Sequence, residues 1–138
     1  MRFMVIVKAT TRSETGELPS TEEFAAMGRF NEELVNAGMM EAAEGLHPTT
    51  KGARVDYRGG EPAVTPGPFT PATDLVAGFW LIKAKSLQDV ITWMKRAPFT
   101  AGEQIEIRQI FSAEDFGEAL TPELRAKEEE LRAKAAKN

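Results

Sequence analysis

The chain has 138 residues, of which 42% are hydrophobic and 28% are charged, and its net charge is −4. This length and composition are typical of one globular domain with a sizeable core. The scattered basic residues argue against nucleic-acid binding, and the absence of a basic amphipathic stretch argues against a membrane surface. With no cysteine and no signal-peptide layout at the N-terminus, we expect a cytoplasmic protein without disulfides.

The first third of the chain carries strand and helix signals in turn. The apolar run at residues 3–7 predicts a strand, and the polar stretch at residues 10–19 predicts a long loop. Ser20 and Glu23 have capping-box spacing, which predicts a helix over residues 21–37. We expect the apolar face of this helix to carry Phe24, Met27, Leu34 and Val35. A weaker strand is predicted at residues 39–46.

A glycine-rich hairpin precedes the most apolar run of the chain. Gly59-Gly60, between alternating runs at residues 53–57 and 62–65, predicts a tight β-hairpin. Pro66-Gly67-Pro68 then predicts a stiff, extended turn, because each proline restricts itself and the residue before it. The run at residues 75–82 predicts a buried strand. It does not alternate with polar residues, so we expect both of its faces to be covered.

The last third contains a helix, a strand and a terminal helix. Ser86 is placed to cap a helix that Pro98 ends. Its apolar face is expected to carry Leu87, Val90, Ile91 and Met94. Residues 105–111 predict a strand, with Ile105, Ile107 and Phe111 on one face and Glu106, Arg108 and Ile110 on the other. Thr121-Pro122-Glu123 starts a terminal helix with few apolar residues.

The order of these elements predicts an α+β fold with a ferredoxin-like β-α-β-β-α-β sheet, an inserted β-hairpin and a C-terminal helix. Residues 1–118 are expected to form the domain, and residues 119–138 a helical extension. Both main helices would cover one face of the sheet and leave the other face bare. Two bare sheets packed face to face would explain the doubly apolar strands, so we expect a two-fold symmetric homodimer.

Short motifs along nearly the whole chain resemble one family. They include Ala43-Glu44-Gly45-Leu46-His47-Pro48, Gly67-Pro68-Phe69, Ala77-Gly78-Phe79-Trp80, Lys95-Arg96-Ala97-Pro98 and Glu114-Asp115-Phe116-Gly117. In order and spacing they resemble the YCII-related family, also called DGPF-domain proteins. The resemblance implies a dimeric α/β-barrel fold. It also implies either cofactor-free chemistry on small, often aromatic molecules or an accessory role beside sigma factors. The first residue of the family's Asp-Gly-Pro-Phe turn is Pro66 here, so this chain lacks the carboxylate on which such chemistry would depend.

His47 is the candidate catalytic residue, because it is the only histidine and so the only side chain that ordinarily titrates near neutral pH. As a general base it would need an orienting partner, for which Glu44 is the candidate. The alternative is a solvated residue at the exit of a strand.

The candidate ligand-binding residues are Lys8, Phe69, Trp80, Glu106 and Arg108. Arg108 would bind a carboxylate through its planar guanidinium, or it would form a structural ion pair with Glu106 in the dimer. Trp80 would be an aromatic wall or an ordinary core residue. Lys8 would add positive charge to the cavity or remain a solvated strand end. Phe69 belongs to the turn that would border the site.

No metal site and no cofactor are expected, because the chain has one histidine, no cysteine and no acidic loop with calcium spacing. The leading hypothesis is a homodimer that binds a small aromatic or carboxylate molecule between the sheet face and the turn at residues 66–69. Whether it catalyses a reaction stays open. The alternative is a non-catalytic accessory protein that acts through protein contacts, with the terminal helix as its docking element.

Overall fold

The computed structural model describes all 138 residues. Six strands lie at β1 Arg2–Lys8, β2 Met40–Gly45, β3 Ala53–Asp56, β4 Ala63–Pro66, β5 Val76–Lys83 and β6 Ile105–Gln109. Four α-helices lie at α1 Thr11–Glu14, α2 Thr21–Asn36, α3 Leu87–Met94 and α4 Pro122–Ala136, and 3₁₀ segments lie at Thr49–Lys51, Ala72–Asp74 and Ala113–Ala119. The predicted α+β class, with an antiparallel sheet and a C-terminal helix, is confirmed.

The main sheet has four strands in the order β2-β5-β1-β6, and each neighbouring pair is antiparallel. The two most apolar strands, β1 and β5, lie at its centre, where each is paired on both sides. The β3 and β4 strands form a separate two-stranded sheet at the place of the predicted hairpin. The prediction of a tight turn was wrong, because residues 57–62 connect the last pair, Asp56 and Ala63.

The α2 and α3 helices pack on one face of the main sheet. Eight buried side chains form the core there: Phe3, Val5, Phe30, Leu34, Trp80, Ile82, Val90 and Met94. The start of α2 is fixed as predicted. The Ser20 hydroxyl accepts a hydrogen bond from the Glu23 N–H at 3.1 Å, and the Glu23 carboxylate accepts one from the Ser20 N–H at 3.3 Å.

The buried stripe of α2 differs from the prediction. Leu34 is buried, but Phe24 and Val35 are 61% and 53% exposed, and Phe30 is buried instead. The stripe that meets the sheet is centred between Met27, Phe30 and Leu34. Phe24 and Val35 lie about a quarter turn away from that centre, because each residue advances the helix by about 100°.

The last strand is shorter than predicted. Ile105 and Ile107 pack against the core, but β6 ends at Gln109. The prediction that Phe111 shares their face was wrong, since Phe111 is 68% exposed. Its ring stacks instead on Phe116, with the ring centroids 4.8 Å apart.

The α1 and α4 helices, which lie outside the core, can also be compared with the predictions. The predicted loop at residues 10–19 contains α1, a single helical turn with its own capping box between Thr10 and Ser13. The α4 helix begins as predicted, with Thr121 as its cap and Pro122 at its first position. No residue of α4 is buried.

None of the helices combines the length and the apolar character that a membrane crossing requires.

Candidate functional site

A cavity of about 330 Å³ lies between α2 and the main sheet. Its lining includes residues from the helix side of the sheet, from α2 and from the segment after α3, namely Val7, Met27, Asn31, Ala43, Trp80 and Phe99. We call this space the Trp80 cavity. Ligand pockets for small molecules start at about 300 Å³ and are mostly apolar, with a few polar groups. The Trp80 cavity fits that description.

Trp80 forms the wall between the core and this cavity. Its indole N–H donates a hydrogen bond to the side-chain oxygen of Asn31 at 2.8 Å. Its ring meets Phe30 and Phe99 edge to face, with centroids 6.1 and 6.0 Å apart. These contacts hold the indole in one orientation, because aromatic pairs favour this geometry and a buried indole N–H needs an acceptor.

The loop that enters α2 borders the Trp80 cavity through Pro19. Arg12 of α1 anchors this loop, because its guanidinium contacts the carboxylates of Glu17 and Glu23 and the carbonyl of Leu18. The hydrogen bond from Arg12 lowers the pKa of Glu23 from its usual value of 4.5 to about 2. The folded state therefore gains stability from this carboxylate above its usual pKa, and loses it as the pH falls toward 2.

The turn at Gly67 and Phe69 is held by hydrogen bonds to the segment that follows β2. Glu14 accepts hydrogen bonds from the N–H and the hydroxyl of Thr49, at 3.1 and 2.6 Å. The Thr49 hydroxyl oxygen accepts a third bond from the Phe69 N–H at 2.9 Å. The Gly67 N–H donates to the carbonyl of Gly52 at 2.9 Å. Thr49 therefore links α1 to the turn.

Gly67 lies so close to Thr49 that no side chain fits. A Cβ at Gly67 would overlap the carbonyl oxygen of Thr49. We expect Gly67→Ala to lower the free energy of unfolding by about 1–3 kcal/mol, the usual cost of overpacking. Urea unfolding measures this change. The matched control is Gly60→Ala, which has no heavy atom within 4 Å and should be nearly neutral. Equal stability of the two variants would contradict the close packing.

Phe69 is part of this turn and His47 lies two residues before Thr49, but the environments of the two side chains differ. The guanidinium of Arg54 lies 3.9 Å from the centroid of the Phe69 ring, so one face of that ring is already occupied. His47 and Glu44 are both exposed, and β2 ends between them at Gly45. No hydrogen bond joins the two side chains, so the expected general base has no orienting carboxylate in this geometry.

The face of the main sheet opposite α2 and α3 carries an apolar stripe. We call it the open sheet face, and its central residues are Met4, Ile6, Phe79 and Leu81. They are only half-buried, because they pack sideways against each other and neither α2 nor α3 covers them.

Glu106 and Arg108 lie beside this stripe on β6. They face Ile6 and Met4, respectively, across the strand pair. The two side chains form an ion pair at 3.4 Å. Both are largely solvated, so the pair contributes little stability within one chain.

The candidate ligand-binding residues lie in several places. Trp80 is on the helix side of the sheet, whereas Glu106 and Arg108 are on the open sheet face. Phe69 is in the turn that is hydrogen-bonded to Thr49, and Lys8 is half-buried at the end of β1. The structure does not gather these five residues into one site.

Sequence reasoning missed Asn31, Phe99 and the pair of Glu14 and Thr49. A signal for Asn31 was present, because it lies four residues after Met27 and three before Leu34, on the apolar side of α2. A polar side chain in that position needs a hydrogen-bond partner. Glu14 and Thr49 gave no such signal, since they are 35 residues apart and meet only in the folded chain.

Comparisons with known proteins add one clear finding. The family model described as YCII-related domain matches residues 1–114. Among curated proteins, none matches the chain.

The solved structures that are similar to the chain include one at low sequence identity. It is the 5-chloro-2-hydroxyhydroquinone dehydrochlorinase (TftG) from Burkholderia phenoliruptrix AC1100, in complex with 2,5-dihydroxybenzoquinone. The identity is 17%, the match covers 81% of this chain and 96% of that chain, and the TM-score is 0.39. In this chain, no three His, Cys, Asp or Glu side chains come together as a group that could hold a metal ion.

Proposed function

The chain belongs to the YCII-related domain family, and on that premise we propose that it is a homodimer that binds a small organic molecule in the Trp80 cavity. The observation that carries this proposal is the cavity itself. It has the size of a small-molecule site, it is walled by Trp80 and Phe99, and it contains one polar side chain from α2, Asn31.

The open sheet face supports the homodimer. A contiguous apolar stripe that no helix covers is typical of an interaction surface, and a second copy offers the same stripe in return. The chain exposes 10068 Å² of surface. A compact monomer of this size exposes about 7,100 Å². The excess of about 3,000 Å² per chain is more than the roughly 1,000–2,500 Å² that each partner contributes to an obligate dimer interface.

We propose a ferredoxin-like topology and a dimeric α/β barrel as the finer description of the fold. The sheet order β2-β5-β1-β6 supports this topology, with α2 between β1 and β2 and α3 between β5 and β6. In the barrel, the open sheet faces of two copies would meet. Glu106 and Arg108 would then be a structural ion pair in the interface rather than ligand-binding groups.

The binding site can be tested with paired variants on opposite sides of the sheet. Thermal unfolding is measured with toluene, phenol, benzamide and benzoate as probes. A probe at a hundred times its dissociation constant stabilises the protein by about 2.7 kcal/mol. Ala43→Leu should abolish this stabilisation, because Ala43 lines the cavity and the larger side chain fills it. Arg108→Ala, on the open sheet face, is the control and should leave it unchanged.

Two outcomes would contradict the proposed site. In the first, none of the probes stabilises the wild-type protein. In the second, stabilisation persists in Ala43→Leu and disappears in Arg108→Ala, which would move the site to the open sheet face. Circular dichroism of each variant separates lost binding from lost folding.

A further inference from the structure

We infer that the Trp80 cavity selects an uncharged planar aromatic molecule that carries a hydrogen-bond acceptor, and that it rejects the corresponding carboxylate. This inference rests on the proposed function and specifies the ligand class of the same site. It follows from three features of the cavity, which are its charge, its polar group and its aromatic walls.

The charge of the cavity disfavours an anionic ligand. No lysine, arginine or histidine lines it, and its single ionisable lining residue is Glu44. The side chain of the neighbouring Ala43 packs against the core, so the alternation of β2 directs the Glu44 side chain to the other face of the sheet. A carboxylate in the cavity would lose its hydration without gaining a cationic partner among the lining residues.

The polar group of the cavity is the side-chain amide of Asn31. The indole nitrogen of Trp80 is a donor only, so the atom of Asn31 that accepts its hydrogen bond must be the amide oxygen. The amide nitrogen keeps two N–H donors, and no group of the chain accepts from them. A ligand oxygen that carries no charge matches this donor. The Trp80 bond also fixes the amide in place.

The walls of the cavity favour a flat ring. Trp80 and Phe99 meet at an interplanar angle of 85°, so they present two aromatic surfaces that are nearly perpendicular. A planar ligand can stack on one and meet the edge of the other, which are the two favoured aromatic geometries. Met27 lines the same space, and its flexible thioether adapts to ligands of different outline.

The experiment compares benzamide with benzoate at neutral pH. The two molecules have nearly the same shape, and benzoate carries the negative charge. Trp93→Phe leaves Trp80 as the sole tryptophan, so that fluorescence reports on the cavity. We expect benzamide to bind at least about tenfold more tightly than benzoate, because benzoate would lose its hydration without gaining a cationic partner. Equal affinities, or tighter binding of benzoate, would overturn the inference while leaving the proposed function standing. Binding of neither molecule would overturn both.

Two further variants in the Trp93→Phe background test the source of the preference. Asn31→Asp keeps an acceptor for the Trp80 indole but removes the N–H donors, so benzamide should bind at least fivefold more weakly, by about the loss of one hydrogen bond. Met27→Lys adds a cation to the lining and should narrow or reverse the preference by strengthening benzoate binding. If Asn31→Asp binds benzamide as tightly as its Trp93→Phe background, and Met27→Lys keeps the ratio of the two affinities unchanged, the cavity charge and Asn31 do not set the ligand class, and the inference is wrong.

Discussion

Replacing Leu81 with aspartate should convert the protein from a dimer to a monomer. Leu81 lies at the centre of the open sheet face, beside Met4 on the neighbouring strand. In the proposed dimer, two-fold symmetry places two new carboxylates in an apolar interface. Each would be desolvated at a cost of several kcal/mol, so we expect the dimer dissociation constant to rise by about a thousandfold or more. Light scattering on a size-exclusion column at micromolar concentration measures the mass directly.

The control for this variant is Val35→Asp. Val35 is an exposed apolar residue on α2, away from the open sheet face, and its replacement should leave the dimer intact. Circular dichroism must show that Leu81→Asp keeps its secondary structure. A wild-type protein that elutes as a monomer would contradict the dimer itself. A Leu81→Asp protein that remains dimeric would contradict the choice of interface.

Local sequence signals were sufficient for most of the elements. Ser20 and Glu23 mark the start of α2 because a capping box is a contact between residues three apart. Gly59-Gly60 marks the position of the hairpin connection, although that connection spans residues 57–62 rather than the two residues of a tight turn. The apolar runs that became β1 and β5 are central in the sheet, as their composition predicts. In each case the information lies within a few residues of the element.

Predictions that depend on tertiary packing were less successful. Phe24 and Val35 have helical spacing, but the direction from which the sheet meets α2 decides which side of the stripe is buried. Phe111 continues the alternation of β6, yet the chain leaves the strand after Gln109 and Phe111 stacks on Phe116 instead. Periodicity identifies a face, and only the fold shows where that face ends.

The candidate site was only partly predictable, because it also depends on contacts between residues far apart in the sequence. Trp80 was recognised as either a ligand wall or a core residue, and it contacts both the core and the cavity. Its partner Asn31 is 49 residues away, so no local pattern joins them. Arg108 and Trp80 were both predicted to line one cavity that binds an aromatic or carboxylate molecule. They lie on opposite faces of the sheet, because Arg108 pairs with Met4 and Trp80 pairs with Val5, and adjacent residues of a strand point in opposite directions.

Trp80→Ala should be among the most destabilising single substitutions in this chain. Trp80 is buried in the core and donates its indole N–H to Asn31. Removing a buried tryptophan side chain costs about 3–5 kcal/mol, which is a large part of the 5–15 kcal/mol that stabilises a typical domain. Urea unfolding followed by circular dichroism measures the loss, with all variants at one protein concentration because dimer stability depends on it.

Trp93→Ala is the matched control, because it removes the same side chain from a half-buried position on α3. The ring of Trp93 lies under the guanidinium of Arg96, 4.6 Å from the ring centroid, rather than inside the core. We therefore expect Trp93→Ala to lose less than half as much stability as Trp80→Ala. If Trp80→Ala does not fold, Trp80→Phe can be measured in its place. Trp80→Phe should lose some stability, but less than Trp80→Ala, because an aromatic ring remains and the hydrogen bond to Asn31 is lost. If Trp80→Phe were as stable as the wild-type protein, the bond to Asn31 would not stabilise the fold, and Asn31 would be free to turn both polar ends of its amide toward a ligand.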